Sequence, residues 1–114
     1  MTVRTMVATS QLGAFQDIWD AWDESDADIK AKPLRHFETA VDEQFVELRR
    51  HLHANEPDRA ANEAVDIISI ALNLLRNLGH GPEDVATLVT ARAQNRMRGQ
   101  TRAILDKYDR LLET

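Results

Sequence analysis

The sequence predicts an all-α fold: four to five helices forming a bundle that is completed by dimer or tetramer assembly. Three observations carry this. Apolar residues recur at three- and four-residue spacings through most of the chain, while strand-type alternation is nowhere sustained. Only four Gly and three Pro interrupt 114 residues, and they cluster where helices should stop and restart. At this length the core is modest, so a broad apolar helix face is better covered when a second copy of the chain contributes.

Taken in order, residues 1–10 are mostly small and polar and read as a flexible tail ahead of one helical domain spanning 11–114. A first helix is expected from about Gln11 to Glu24, on the spacing of Leu12, Phe15, Ile18, Trp19 and Trp22, with Ser25 to Lys32 as a connection. Pro33 suits the first turn of a second helix, where its missing N–H costs nothing. That helix carries Leu34, Phe37, Val41, Phe45, Leu48 and Leu52 on one side and ends near His53. Asn55 is placed to cap a third helix, Pro57 to Leu78, whose apolar wall is wide enough to be covered by several helices. Gly79-His-Gly-Pro82 is a stop and restart. A fourth helix follows to at least Arg98; Gly99 weakens its middle, so either one long helix crosses it or a turn there separates a last helix, about Thr101 to Leu112, that Tyr108 and its leucines should pack into the body.

Composition narrows the chemistry. There is no cysteine, which removes disulfides, thiol catalysis and thiolate metal sites. No leader-like run and no membrane-length apolar stretch is visible, so the chain reads as cytoplasmic and without a membrane partner. Net charge is -5, with six acids and no base between Asp17 and Asp28, and four Arg and no acid between Arg92 and Arg102. A nucleic-acid surface should be more broadly positive. The basic run suits a small anionic ligand or an acidic partner better.

The informative residues are carboxylates that interrupt apolar faces. On the second helix Gln44 falls inside the core-facing edge, Glu47 beside it, and Glu43 one step further out. On the third, Glu63 and Asp66 repeat the arrangement. If the two helices form an antiparallel hairpin, these oxygens converge with no Lys or Arg between them. Close carboxylates repel unless protonated or neutralised, and hard oxygen donors favour Mg²⁺, with Mn²⁺ as a substitute. The plainer reading leaves Glu47 with Arg50, Glu43 solvated and Glu63 with Arg59. On the fourth helix Arg92, Asn95 and Arg96 continue the inward face and could hold phosphate oxygens; the plainer reading there is a solvated face or subunit salt bridges. Of the aromatic residues, Trp19 and Trp22 are candidates to stack on a base, Trp19 preferred, with a core role for both as the alternative.

Glu43-Gln-Phe-Val-Glu47, then Glu63-Ala-Val-Asp66, then Arg92-Ala-Gln-Asn95 resembles the MazG-like all-α nucleoside triphosphate pyrophosphohydrolases, the superfamily that also holds dimeric dUTPases, dCTP pyrophosphatases and phosphoribosyl-ATP pyrophosphohydrolases. The likeness runs from roughly Leu34 to Gly99, with fifteen residues between Glu47 and Glu63. It implies Mg²⁺-dependent hydrolysis of a nucleoside triphosphate, a dNTP or a non-canonical NTP, to the monophosphate and pyrophosphate, in a homodimer or homotetramer whose sites are closed by a neighbouring subunit. By position it implies metal binding at Glu47, Glu63 and Asp66, water orientation or deprotonation by Glu43, and phosphate contact by Arg92 and Asn95. Gln44 departs from the pattern, standing where the family has a second metal-binding Glu. Three readings of that difference are open: a natural variant with a weaker metal site, a degenerate member that binds nucleotide without hydrolysis, or a Glu-to-Gln change made to trap a complex. Two other classes stay in view, a non-catalytic nucleotide-binding or protein-interaction helical dimer and an arginine-based nucleic-acid binder.

Overall fold

The computed structural model describes residues 11–113. It is helical throughout that range, with no strand among the described residues. A 3-10 turn, Gly13–Phe15, leads into α1, Gln16–Ala21; a second, Trp22–Ser25, leads into α2, Asp26–Lys30. The long helices are α3, Leu34–His53, and α4, Pro57–Asn77. After them come α5, Pro82–Arg92, a π-helical turn, Ala93–Met97, and α6, Thr101–Glu113.

The hairpin of α3 and α4 is the frame. Pro33 is extended, φ -75° and ψ 161°, and α3 starts at the residue after it. Its end is a left-handed residue, Asn55 at φ 60°, with Glu56 N–H donating to His51 O at 2.8 Å and Asn55 N–H to Leu52 O at 3.1 Å. That is a Schellman turn with Asn at the left-handed position. Asn55 thus terminates α3 rather than capping α4, whose preceding residue Glu56 makes no side-chain cap. Gly79, φ 99°, ends α4 the same way, with His80 N–H bonded to Leu75 O at 3.1 Å.

The expected single first helix is broken into turns and two short helices, and α2 occupies what reads as a connection. Short helices have little stability of their own and persist through packing. Here the packing is polar as well as apolar. Arg76 of α4, only 3% exposed, donates from Nη1 to Asp23 and Asp26 at 2.9 and 2.8 Å and from Nη2 to Trp19 O at 2.7 Å. Its guanidinium lies 4.3 Å over the Trp19 ring. Asn77 Nδ2 donates to Ile29 O and Lys32 O, both at 2.9 Å, satisfying carbonyls at the end of α2. Trp19, Leu72 and Val85 form the buried cluster on this side, so α5 is attached through Val85.

The far end of the chain is bare. α6 buries none of its residues, and Leu105, Tyr108 and Leu112 are 50, 56 and 85% exposed, contrary to the expectation that they pack inward. The whole chain exposes 8741 Å². A compact monomer of this mass would expose ~6,300 Å². No described helix is long and apolar enough to cross a membrane.

Arg76→Ala should destabilise the fold by about 2–4 kcal/mol in urea unfolding, because Trp19 loses its cover and three acceptors lose a buried donor. Hydrogen bonds from Arg76 and then Lys30 hold the Asp26 carboxyl below its ordinary pKa. A lowered folded-state pKa contributes stability above the unfolded value and loses it as pH falls through the folded one. Asp26→Asn should therefore be less stable than the parent at neutral pH, with the gap closing in acid. A gap that stays constant from neutral to strongly acidic pH would contradict this.

Candidate functional site

The second face of the hairpin carries a cavity of about 380 Å³. Its walls come from the 3-10 turn after α1, from α2 and from both long helices: Trp22, Ile29, His36, Phe37, Ala40, Gln44, Asp66, Ser69, Ile70 and Asn73. Trp22 is fixed there by its indole N–H, which donates to Ser69 Oγ at 2.8 Å. His36 stands edge-on to Phe37, centroids 5.0 Å apart and planes at 86°. The lining is mostly apolar with a few amides and one carboxylate, the mixture of a flat-ring pocket with polar groups for orientation.

Gln44 is the most informative polar group in it. Its Oε1 is buried and has no hydrogen-bond partner. An orphaned buried carbonyl is costly and calls for a donor or a cation that the protein chain does not supply. Asp66 lines the same cavity across the hairpin. Glu63, one turn earlier, is half-buried and meets His51, Oε1 to Nε2 at 3.5 Å, while His51 Nδ1 faces Glu56 at 3.3 Å. Glu63 is thus engaged with His51 rather than with Arg59, which pairs with Glu56 instead. Glu47 is bound by Arg50 Nη1 at 2.9 and 2.8 Å to its two oxygens. Glu43 is exposed and lines a neighbouring shallow depression with Lys32, Arg35 and His36.

Gln44 and Asp66 thus line one cavity across the hairpin, while Glu63 meets His51, Glu47 is held by Arg50 and Glu43 borders a different depression. No group of three or more His, Asp or Glu side chains among the described residues is arranged to hold a metal ion. The donor chemistry fits a hard divalent cation, all oxygens with one of them buried and unpaired. Gathering the carboxylates about a common point would require Glu47 to leave Arg50, a surface pair of the kind worth ~1 kcal/mol or less.

Arg92, Asn95 and Arg96 lie elsewhere. All three are exposed rather than inward-facing, and none lines the cavity. Asn95 borders a separate shallow depression with Thr87, Thr90 and Gln94. For Asn95 and Arg96 the reason is local: the helix widens to a π turn at Ala93, with Arg98 N–H bonded to Ala93 O at 2.9 Å, and Gly99 at φ 80° then breaks it, whereas Arg92 precedes the turn on a stretch where Val89 and Thr90 are exposed as well. A π turn shifts the angular position of the residues that follow it, so a straight-helix projection fails there.

The two tryptophans separate cleanly. Trp19, 5% exposed, is core beneath Arg76, and Trp22, 40% exposed, faces the cavity. The preference for Trp19 as the stacking ring is thereby reversed. Sequence reading passed over His36, Ser69 and Asn73; the last two lie one turn apart, three and seven residues beyond Asp66, and their polar interruption of an apolar helix is the signal that marks them.

No family model matches the chain, and neither the curated proteins nor the solved structures contain a match to it.

Unfolding measurements should distinguish the rings: Trp19→Ala costs about 3–5 kcal/mol as a core truncation, and Trp22→Ala about 1 kcal/mol, chiefly the Ser69 hydrogen bond. Equal costs would mean that Trp22 is a core residue and that the cavity is not open to a ligand.

Proposed function

We propose that the chain is a MazG-like nucleoside triphosphate pyrophosphohydrolase, acting on a dNTP or a non-canonical NTP to give the nucleoside monophosphate and pyrophosphate. The observation that carries the reading is a juxtaposition. A cavity walled by Trp22 and His36 also carries the carboxylate of Asp66 and Gln44, whose Oε1 is buried and partnerless. The aromatic side suits a base, and Asn73 and Ser69 offer polar contacts for its edge. The acidic edge suits cation-bound phosphates, since it would repel a bare triphosphate.

Gln44, Glu47, Glu63 and Asp66 are the residues that would hold Mg²⁺, or Mn²⁺ in its place. When bound, the ion would neutralise phosphate oxygens and acidify a water. The chain's own part is positional and basic. Glu43, exposed and outside the ion pairs of the hairpin, would take the proton of the water whose oxygen bonds to the α-phosphorus. The bond from that phosphorus to the α,β-bridging oxygen breaks, and pyrophosphate leaves with the electron pair. Arg92, Asn95 and Arg96 are the donors for the departing phosphates. In one chain they stand apart from the cavity, so this role requires a neighbouring copy in a homodimer or homotetramer. Gln44 has a neutral oxygen where a carboxylate would offer two charged ones, which lowers metal affinity and turnover.

A second reading has support from the same residues. Glu47 is already paired with Arg50, and Gln44 adds no charge, as in a helical dimer that binds a nucleotide or a protein without cleaving anything.

Pyrophosphate release across NTPs and dNTPs, with and without Mg²⁺, separates them. The hydrolase reading expects metal-dependent release that Glu47→Gln lowers by about 100-fold or more and Gln44→Glu raises by about 10-fold or more. Silence of the chain and of Gln44→Glu over the whole panel, with no calorimetric uptake of Mg²⁺-nucleotide, would give the case to the non-catalytic dimer.

A further inference from the structure

The charge of the chain changes sign abruptly at the start of the hairpin. Acids crowd the stretch that ends at Asp28, yet from Ile29 to Phe37 there are Lys30, Lys32, Arg35 and His36 and no acid. Lys30 pairs with Asp26 at 2.9 Å. Among the described residues Lys32 and Arg35 have no ion-pair partner, so neither charge holds the fold together. Both line one shallow depression of about 530 Å³, together with His36, Thr39 and Ala40, and Glu43 is the one acid in its lining. His36 and Ala40 also line the cavity that Trp22 faces, so the two hollows share a wall. The backbone under the cations is fixed. Lys32 O accepts from Asn77 Nδ2 at 2.9 Å, Lys32 N–H donates to Ile29 O at 3.2 Å, and Arg35 lies in the first turn of α3.

We propose that this depression is a phosphate subsite, in which Lys32 and Arg35 hold the phosphate tail of a ligand whose ring lies in the neighbouring cavity. A guanidinium fork beside an ammonium matches phosphate oxygens in both geometry and charge. Two cations, with the Thr39 hydroxyl in the same lining, suit a diphosphate or longer tail; a lone carboxylate is satisfied by one arginine fork alone. Charge also gives the tail a direction. Arg35 and Glu43 are eight residues apart on α3, about 12 Å. A tail that crosses His36 and Ala40 is drawn to the Lys32 end and repelled from the Glu43 end. Glu43 is thereby left to water, as a base requires. The assignment rests on the nucleotide reading above for the identity of the ring. It supplies phosphate holders within one chain, where Arg92, Asn95 and Arg96 stand apart from the cavity.

Inorganic pyrophosphate, with a chelator and without nucleoside or divalent ion, probes the depression by itself. Added to the ¹⁵N-labelled full chain, it should give saturable shifts of the Lys32, Arg35 and Thr39 amides and of the Arg35 Nε–H. Lys32→Gln with Arg35→Gln should weaken that binding by about tenfold or more and flatten its dependence on salt. Lys107→Gln with Arg110→Gln removes the same charge from α6 and should change the affinity by less than about twofold, since screening confines each charge to its surroundings. Lys32 and Arg35 are exposed, so an unchanged urea midpoint certifies the fold of the first pair. Three results would each overturn the subsite: no shifts at millimolar pyrophosphate, shifts centred on the segment from Arg92 to Arg102, or an equal loss in the α6 pair. A nucleoside triphosphate that still entered the cavity would then keep the functional reading without it. Pyrophosphate bound at Lys32 and Arg35 while no nucleotide enters the cavity would keep the phosphate subsite and remove the nucleotide reading.

Discussion

One buried guanidinium holds the described structure together. Arg76 sits in the last turns of α4 and binds Asp23, Asp26 and the Trp19 carbonyl while its plane covers the Trp19 ring. The segments it ties down are α1, α2 and the 3-10 turn between them, none longer than six residues and none able to persist alone. A buried arginine is costly unless its donors are met and its partners stay charged. Here the two carboxylates are partly exposed and keep their hydration, so the pair avoids the full cost of desolvating both signs. Nε remains buried and unpaired, a residual cost of the arrangement.

That clamp decides where a cavity can form. With Trp19 pinned under Arg76, Trp22 falls three residues on, over the hairpin, where Ser69 fixes its indole. Ile29 is fixed in turn because Asn77 binds its carbonyl. Two helices alone would leave a shallow groove, as they do on their other side; the clamped segments add a wall to this side and deepen it into a cavity that stays open to solvent. The acidic edge beside it has a different origin, the repeated placement of carboxylates at the margin of each apolar stripe. Because Glu47 and Glu63 already have partners in Arg50 and His51, the edge is stable without a cation. Its electrostatics nonetheless leave Asp66 and the Gln44 carbonyl unmatched beside the cavity.

The helical class, the hairpin and the stops at His53 and Gly79 were legible because they rest on local chemistry: periodicity, Pro before a helix, Gly in a left-handed turn. That Gln44 and Asp66 face one cavity across the hairpin was legible for the same reason, since helix faces follow from spacing. Three features were not. The breaking of the first helix depends on Arg76, more than fifty residues away, and no local pattern announces a partner at that distance. The placement of Asn95 and Arg96 follows from a π turn, which changes the period on which the projection was based, while Arg92, ahead of that turn, is exposed together with Val89 and Thr90. The role of the tryptophans turned on which ring lies beneath the arginine, and both rings satisfy the same helical spacing. The acids of the Asp17–Asp28 stretch, read as a sign of what the chain does not bind, in part serve this clamp.

The most direct test is a proton–nitrogen correlation NMR spectrum of the labelled chain titrated with Mg²⁺ and an α,β-methylene nucleoside triphosphate, which binds without being cleaved. A nucleotide in the cavity between Trp22 and Gln44 should shift the Trp22 indole resonance and the Gln44 and Asn73 side-chain amides together, with Trp19 nearly still. Shifts confined to the arginine segment beyond Arg92, or a spectrum unchanged at millimolar nucleotide, would contradict the assignment of this cavity as the site.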